Sequence, residues 1–237
     1  GKHPVLEHLE DGGAFEQILL QKGIDREYVS RVRQLARERN IPTQVVPIQR
    51  MNRVTRKNHQ GVIAFTAFVE YRDMVDEVQH AYESRQVPLV LVLDRVTDVR
   101  NLGAIARSAE IFGATAIVTP VRESARINSD AVKTSAGASL KIPVCRVDSL
   151  IRAVEQLKEM GLTICVAAQS QDGELPDFTV PMAIVLGSEH SGVDIQIRRM
   201  ADSVFSIPQI GTTDSLNVSV AAGISLYEAV RQRKQTH

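Results

Sequence analysis

The sequence of 237 residues lacks several features that would assign it to other classes of protein. No apolar run approaches the roughly 18 residues of a membrane span. The N-terminal stretch GKHPVLEHLEDGG contains no apolar signal-peptide core. Lys and Arg together number 28, as do Asp and Glu, so the net charge favours no particular partner. We therefore expect a soluble cytoplasmic protein with no membrane partner.

Cysteine is scarce, and neither cysteine belongs to a metal-binding motif. Cys145 and Cys165 both lie in apolar, strand-like runs, which favours buried free thiols over a disulfide. No Cys/His cluster has the spacing of a zinc site, so we expect no metal. The chain also lacks the G-x-G-x-x-G fingerprint, which argues against a nucleotide-binding Rossmann dehydrogenase.

Positive charge is concentrated in one stretch of the N-terminal part. Residues 31–57 contain eight Lys or Arg and one Glu, which leaves seven net positive charges in 27 residues. Such a patch suits a polyanion, because the neutralisation of phosphates releases counterions. Nucleic acid is the favoured partner, and a solvated helix face followed by a loop is the alternative.

The composition, 43% apolar and 24% charged, predicts a packed protein, and the pattern of elements favours two domains. Residues 1–72 form a small α/β unit in this interpretation. Its predicted elements are a helix at 4–10, a strand FEQILLQ, a helix DREYVSRVRQLARERN capped by Asp25, a short strand TQVVPI and a longer strand GVIAFTAFVEY. A polar connecting helix or linker is expected over 73–87.

Residues 88–237 alternate between strand and helix patterns. The predicted strands are PLVLVLD, TAIVTP, IPVCRV, LTICVAA, MAIVLG and SVFSIP, and helices are expected in NLGAIARSAEIFGA and at 148–160, 193–201 and 215–232. PLVLVLD is continuously apolar, as is typical of a strand buried on both faces. The pattern predicts a largely parallel sheet with helices on both faces, and such sheets bind ligands at the carboxyl ends of their strands.

Unusual polar residues and glycines follow three of these strands. After the first, Asn101 caps the predicted helix, and Arg107 lies off the apolar stripe of that helix. After a later strand, LGSEHSGV places Glu189 between Gly187, which allows close backbone approach, and Gly192, which can adopt a positive φ. Each stretch alone is also compatible with ordinary caps, surface residues and turns.

The third stretch, TTDSLNVSVAAGISL, places a polar cluster at the start of an apolar helix. Ser215 and Asn217 stand just before Val218, where the run of small and apolar residues begins. Both are good helix N-caps, because their side-chain oxygens accept the unpaired N–H groups of a first turn. The alternative interpretation is a ligand site at the mouth of the helix.

Taken together and in this order, the motifs resemble the SpoU branch of the SPOUT superfamily, the knotted RNA 2′-O-ribose methyltransferases. The resemblance rests on NLGAIAR with FGA, on LGSEHSGV, and on IPQIGTTDSLNVSVAAGISLYEA, and it covers about residues 88–232. The N-terminal part, with GKHPVLEHLE and NHQGVIAF, resembles the RNA-binding domain of the rRNA guanosine methyltransferases of this branch, which is akin to kink-turn-binding ribosomal proteins.

The resemblance implies a SPOUT-type α/β fold with a C-terminal trefoil knot, S-adenosylmethionine as methyl donor without a metal, and a homodimer with its active site at the subunit interface. It implies that Gly187, Ile207 and Leu216 cradle the cofactor. The implied catalytic set is Arg107, Asn101, Glu189, Ser215 and Asn217. The implied activity is 2′-O-ribose methylation of a guanosine in large-subunit rRNA. A tRNA methyltransferase and a non-catalytic RNA-binding protein on the same fold are the alternatives.

Two roles are open for Arg107, the residue that the family uses to activate the 2′-hydroxyl. A guanidinium holds its proton too tightly to be a good base at neutral pH, so Arg107 either binds the adjacent phosphate and stabilises the developing alkoxide, or loses its proton briefly in a desolvated site. The expected RNA contacts of the N-terminal domain are Arg53, Arg56 and Lys57. Asn58 and His59 are equally compatible with RNA contact and with a plain loop.

Overall fold

Two separate sheets organise the chain in the computed structural model, which describes residues 1–11, 13, 15–39, 41–66, 69–168, 175–188, 191–211 and 215–235. Each sheet belongs to one compact unit. The first unit is Gly1–Glu70 and the second is Tyr71–His237.

The first unit is a three-stranded sheet with helices on both faces. Its elements are α1 (Lys2–Glu10), β1 (Phe15–Gln21), α2 (Arg26–Glu38), β2 (Thr43–Val46), α3 (Ile48–Val54) and β3 (Val62–Thr66). Strand β1 is central, parallel to β2 and antiparallel to β3. The Asp25 side chain accepts a hydrogen bond from the Tyr28 N–H and so caps α2, as predicted.

Alternation along β1 separates the core of this unit into two layers. Ile18 and Leu20 pack in one cluster with side chains of α1 and α2, whereas Leu19 packs on the opposite side with Met51 of α3. Successive side chains of a strand point to opposite faces of the sheet, so one strand supplies both layers. Helix α3 was not predicted, because Met51 is its one buried side chain and its sequence IQRMNRV resembles a polar loop.

The second unit contains a six-stranded sheet in which every neighbouring pair of strands is parallel. Its strands are β4 (Leu89–Leu93), β5 (Ala116–Pro120), β6 (Val144–Val147), β7 (Thr163–Ala167), β8 (Met182–Leu186) and β9 (Ser203–Phe205), in the spatial order β6-β5-β4-β8-β7-β9. Its helices are α4 (Met74–Glu83), α5 (Val99–Ile111), α6 (Ser129–Thr134), α7 (Leu150–Glu159), α8 (Ile195–Met200) and α9 (Val218–Gln235), with a 3₁₀ turn at Ala138–Leu140. The prediction of a parallel α/β sheet is confirmed.

Helices cover both faces of this sheet. Val90 and Val92 pack in one cluster with buried side chains of α4, α7 and α8. The alternate residues of β4, Leu89 and Leu91, point to the other face. Helices α5 and α9 pack against each other, and they contact β5 and β8 respectively.

Helix α4 lies in the segment 73–87, where a connecting helix or linker was predicted. Asp73 caps it, and Met74 and Val78 are buried in the core of the second unit. The segment therefore contributes packing to that unit. Helix α6 was not predicted, because its six residues bury only Ala131.

Both cysteines are free and buried, as predicted. Burial raises the pKa of Cys145 to about 12 and also raises the pKa of Cys165, so both thiols stay protonated at neutral pH. In the part of the chain that the structure describes, no helix is long and apolar enough to cross a membrane.

Candidate functional site

Register brings the ends of four neighbouring strands to one edge of the second sheet. Leu186 of β8 pairs with Leu93 of β4 and with Ala167 of β7, and Ala167 pairs in turn with Phe205 of β9. The residues that follow these positions therefore leave the sheet side by side. The three sequence stretches rich in polar residues and glycine thus follow three of these four strands, β4, β8 and β9.

A cavity of about 350 Å³ opens at this edge, a volume within the range of small-molecule sites of roughly 300–1,000 Å³. Its wall consists of residues that end or follow β7, β8 and β9, together with the start of α9. Among them are Ala168, Gly187, Ser188, Ser191, Gly192, Val193, Ile207, Ser215 and Leu216. The wall combines serine and apolar residues with Gln209 and with Arg198 of α8.

The three residues expected to cradle a cofactor all line this cavity. Gly187 follows β8, Ile207 follows β9, and Leu216 precedes α9. The structure also supplies a reason for glycine at position 187. A Cβ atom there would collide with the main chain of Gly192 and Val193, so the close approach is to the returning limb of its own loop.

That loop closes on itself before α8. The Gly192 N–H donates to the Ser188 carbonyl at 2.9 Å, and the two serine hydroxyls at 188 and 191 lie 2.8 Å apart. Gly192 has a φ of +63°, as predicted for this position. Asp194 then caps α8 by accepting from the Gln196 N–H at 2.7 Å.

A buried carboxylate at the end of β4 holds this loop in place. Asp94 accepts from the Asp194 N–H at 2.7 Å and from both Nε and Nη2 of Arg95 at 3.0 Å. The same guanidinium donates to the Gly192 carbonyl at 3.2 Å, and its hydrogen bond to Asp94 raises the pKa of Arg95. Sequence reasoning missed this pair, because it found no signal in DRVTD.

The backbone of Arg95 is unusual, with φ at +56°. The left-handed region costs a non-glycine residue roughly 1–2 kcal/mol. Such residues persist where the surrounding contacts hold them, and they cluster at functional sites. Here the guanidinium contacts with Asp94 and Gly192 supply the constraint.

The structure at the start of α9 shows which of its polar residues act as helix caps and which line the site. Helix α9 begins at Val218, and the Asn217 side chain accepts from the Ser219 N–H at 2.9 Å, as an N-cap does. The Nδ2 group of Asn217 also donates to Oδ1 of Asn101 at 3.0 Å. One side chain therefore caps the helix and joins it to a second predicted site residue. Ser215 lines the cavity just before it.

The prediction that Asn101 caps the helix after β4 is wrong. Asp98 is the N-cap of α5, since its carboxylate accepts from the N–H groups of Arg100 and Asn101 at 2.6 and 3.2 Å. Asn101 lies in the first turn, which leaves its side chain able to reach Asn217 across 116 positions of sequence. Gly113 follows the helix with φ at +68°, as expected for a C-terminal glycine.

Arg107 and Glu189 are the remaining predicted catalytic residues. Arg107 is exposed on α5, off its buried stripe as predicted, and it is not part of the cavity wall. Glu189 lies outside the described residues. No group of three or more His, Cys, Asp or Glu that could bind a metal ion occurs among the residues that the structure describes.

The basic segment of the first unit is exposed at the end of α3. Arg53 lies in the last turn of α3, and Arg56 and Lys57 follow it. The two residues after them build the local turn: His59 accepts from the Gly61 N–H at 3.1 Å, and Asn58 accepts from the Gln60 N–H at 3.3 Å. These bonds favour the loop interpretation for Asn58 and His59.

Two family profiles match the chain. The profile of the SpoU rRNA methylase family covers residues 88–227, and the profile named RNA 2′-O ribose methyltransferase substrate binding covers residues 1–72. A putative TrmH family tRNA/rRNA methyltransferase of Staphylococcus haemolyticus is 33% identical over 99% of this chain and 95% of its own length.

Solved structures of SpoU methyltransferases are also similar to this chain. AviRb, a SpoU methyltransferase of Streptomyces viridochromogenes in complex with AdoMet, aligns with a TM-score of 0.61 at 26% identity, covering 99% of this chain and 89% of that one. A TrmH/SpoU tRNA modifying enzyme of A. aeolicus aligns with a TM-score of 0.59 at 31% identity, covering 68% of this chain and 83% of that one.

Proposed function

The chain belongs to the SpoU rRNA methylase family, and on that premise we propose that it methylates the ribose 2′-hydroxyl of a guanosine in large-subunit rRNA. The protein is an RNA methyltransferase that uses S-adenosylmethionine. The nucleotide, the class of RNA and the residue roles belong to the proposal. So do the C-terminal trefoil knot and a location in the cytoplasm, which the two buried free thiols favour.

The cavity at the strand ends supports the assignment of the cofactor site. Its volume suits a small molecule, and its wall places hydroxyl groups of Ser188 and Ser215 beside the apolar Ile207 and Leu216. Such a wall fits a ligand with both polar and apolar parts. In this proposal Gly187, Ile207 and Leu216 hold S-adenosylmethionine, which when bound supplies an electrophilic methyl group on its sulfonium.

Arg107 has the chemistry to act on the RNA. Its guanidinium is exposed, so its donors can reach a phosphate and a hydroxyl that is losing its proton. A planar guanidinium binds a phosphate oxygen pair in a fixed orientation, and it stabilises negative charge on the attacking oxygen. We assign it these two roles rather than that of a base, because a guanidinium gives up its proton only with difficulty at neutral pH.

The hydrogen bond between Asn101 and Asn217 supports their place in the same site. It ties the first turn of α5, the helix that carries Arg107, to the N-cap of α9. Ser215 lies two residues before Asn217 in the cavity wall. The pair therefore fixes the position of α5 relative to the cavity. In this proposal Glu189 and Asn101 hold Arg107 in place.

A second copy of the chain is the proposed partner of α5 and α9. Ile111 on α5 is 62% exposed, and Val220, Ile224 and Tyr227 on α9 are exposed at positions i, i+4 and i+7, which share one helix face. Exposed apolar faces of this kind mark interaction sites. Because Arg107 is exposed on the same helix as Ile111, a homodimer through these helices would bring it to the interface.

The first unit supports RNA as the substrate and rRNA as its class. It matches a substrate-binding profile, and Arg53, Arg56 and Lys57 offer exposed cations to phosphates. tRNA is the second candidate, because the curated relatives are named for both tRNA and rRNA. The related structure described as a tRNA modifying enzyme aligns with only 68% of this chain, which favours rRNA.

Mapping of ribose methylation tests the proposal. Ribosomal RNA and tRNA from a strain that lacks the protein are compared with RNA from the parent strain and from the complemented strain. We expect one 2′-O-methylguanosine of large-subunit rRNA to disappear and to return on complementation. Loss of a ribose methyl group from tRNA alone would transfer the assignment to tRNA.

A further inference from the structure

The loop after β8 is fastened to the end of β4 by one carboxylate and one guanidinium. We propose that Arg95, acting through Asp94, is a positioning residue that fixes the limb Gly192–Asp194 as a wall of the cofactor cavity and thereby sets the affinity for the methyl donor. The inference rests on the proposed function, because it takes the cavity to be the cofactor site.

Asp94 is the fixed point of this arrangement. It is 4% exposed, and its own N–H donates to the Leu186 carbonyl at 2.8 Å, so its backbone is part of the sheet edge. A buried carboxylate is costly unless donors surround it. Its donors are the Arg95 guanidinium and the Asp194 N–H, and the latter already belongs to the returning limb.

Arg95 adds the second point of attachment. Its Nη2 group donates both to Asp94 and to the Gly192 carbonyl, at 3.0 and 3.2 Å. The planar fork of the guanidinium makes this bridge possible. Nε and Nη2 both donate to the Asp94 carboxylate, and Nη2 also donates to the Gly192 carbonyl of the loop. The limb is thus held at residues 192 and 194.

The held limb is a wall of the cavity. Gly192 and Val193 line it, and they pack so closely on Gly187 that a Cβ atom would not fit between them. A displacement of the limb therefore also removes the support of Gly187. Both sides of this part of the wall depend on the Asp94–Arg95 pair.

Arg85 provides a matched control for the backbone of Arg95. It has the same φ of +56°, is exposed, and follows α4, where it is no part of the cavity wall. Replacement of either arginine by glycine relieves the same left-handed strain. Only Arg95→Gly removes the bridge to Gly192.

Cofactor titration of the full-length variants tests the proposal. We expect the Kd for S-adenosylmethionine to rise about tenfold in Arg95→Gly, equivalent to about 1.4 kcal/mol, and to stay within about twofold in Arg85→Gly. The KM for the cofactor should rise with the Kd, while kcat at saturating cofactor changes less. Arg95→Lys, which keeps the charge without the fork, should weaken binding by an intermediate factor.

Amide hydrogen exchange supplies a readout that needs no cofactor. The N–H groups of Gly192 and Asp194 should exchange faster in Arg95→Gly than in the wild type. Their exchange rates in Arg85→Gly should equal those of the wild type. Unaltered exchange and an unaltered Kd in Arg95→Gly would overturn the proposal, as would a loss of kcat without a change in Kd. If Arg95→Gly fails to fold, the Kd for S-adenosylmethionine and the amide exchange of Arg95→Lys test the proposal instead. A wild-type protein without affinity for S-adenosylmethionine would instead overturn the proposed function. Amide hydrogen exchange would still test whether Arg95 and Asp94 hold the limb Gly192–Asp194.

Discussion

The two units of the chain differ in where their polar side chains lie. In the second unit, β4 and β8 are buried along their whole length, and polar residues gather where the strands end. In the first unit, cations are distributed over exposed surfaces: Arg33 and Arg37 lie on α2, and Arg53 lies on α3. The second unit thus encloses a cavity at the ends of its strands, and the first presents charge to solvent.

This difference separates two kinds of recognition. Main chain held by sheet register has a fixed shape, which suits the binding of one small molecule. Exposed arginines attract phosphates with little dependence on sequence and with strong dependence on salt. We therefore expect variants in the second unit to change turnover, cofactor affinity or folding, and variants in the first unit to change RNA affinity.

Removal of the Arg107 side chain should have the largest effect. Arg107→Ala is expected to lower the rate of methyl transfer by on the order of a hundredfold or more, as loss of one preorganised charge-stabilising donor does. Cofactor affinity and stability should change little, since Arg107 is exposed and not part of the cavity wall. Single-turnover methylation of saturating RNA, beside cofactor titration, measures both.

Arg107→Lys sharpens the test. Lysine keeps the positive charge but loses the planar fork that binds a phosphate through two hydrogen bonds. If orientation through the phosphate matters, the lysine variant should be nearly as slow as the alanine variant. Near-normal turnover in a folded Arg107→Ala variant would remove Arg107 from the mechanism.

Arg233, near the end of α9, should matter for folding rather than for chemistry. Its guanidinium donates to the main-chain carbonyls of Phe178, Val87, Pro88 and Val180 at 2.7–3.1 Å. Arg233→Ala removes all four bonds and should lower the free energy of unfolding by about 3 kcal/mol. Urea denaturation measures the change.

Arg231 is the control for this prediction, because it lies two residues earlier and its exposed guanidinium pairs with the half-buried carboxylate of Glu228. Arg231→Ala should change stability by less than about 1 kcal/mol. Equal destabilisation by both variants would show that the carbonyl contacts of Arg233 add nothing. The cofactor Kd of the folded Arg233→Ala protein should match that of the wild type.

Much of the second unit could be predicted from the sequence, because its strands are continuous apolar runs between helices. Leu89–Leu93 and Met182–Leu186 are buried at every position, and the corresponding predictions are confirmed. The short elements were missed for the opposite reason. Helix α3 buries only Met51 and α6 only Ala131, so neither carries an apolar stripe that a periodicity search would detect.

The contacts within the site were less predictable than its location. The strand-end rule indicated the edge of the sheet at which a ligand binds, and the resemblance to the SpoU family implied Gly187, Ile207 and Leu216 as the cofactor residues. The hydrogen bond between Asn101 and Asn217 depends on the packing of α5 against α9, which no local pattern encodes. Asp98 and Asn101 are both of residue types that favour the N-cap position, so residue type does not choose between them, and the structure places Asp98 there.

Neutralisation of the basic segment in the first unit should have a smaller effect, confined to RNA. Replacement of Arg53, Arg56 and Lys57 together by Ala should weaken RNA binding about tenfold near physiological salt and reduce the salt slope by about three. Filter binding at several salt concentrations gives the slope. The cofactor Kd should not change.

A matched triple variant of the same unit locates the RNA-binding surface. Arg26, Arg33 and Arg37 are exposed on α2, and their replacement removes the same charge from another surface. We expect the salt slope to fall less in this variant. A larger fall here than in the first triple variant would transfer the RNA contacts to α2.

Removal of the first unit should have the smallest effect on cofactor binding. All residues of the cavity wall lie in Tyr71–His237, so a fragment of residues 71–237 should bind S-adenosylmethionine within about twofold of the full chain and bind RNA much more weakly. A fragment that begins at Pro88 would lose the buried Met74 and Val78 and should be unstable. A folded fragment from Tyr71 without cofactor affinity would contradict the separation of the two units.

The most direct test of the account follows a labelled methyl group from S-adenosylmethionine into RNA. The purified protein is incubated with unmodified large-subunit rRNA, and with tRNA in parallel, and the RNA is then hydrolysed with alkali. A methylated 2′-hydroxyl blocks cleavage of the adjacent bond, so the account predicts label in alkali-stable dinucleotides that contain guanosine, from rRNA and not from tRNA. Label in mononucleotides would place the methyl group on a base and contradict 2′-O-ribose methylation.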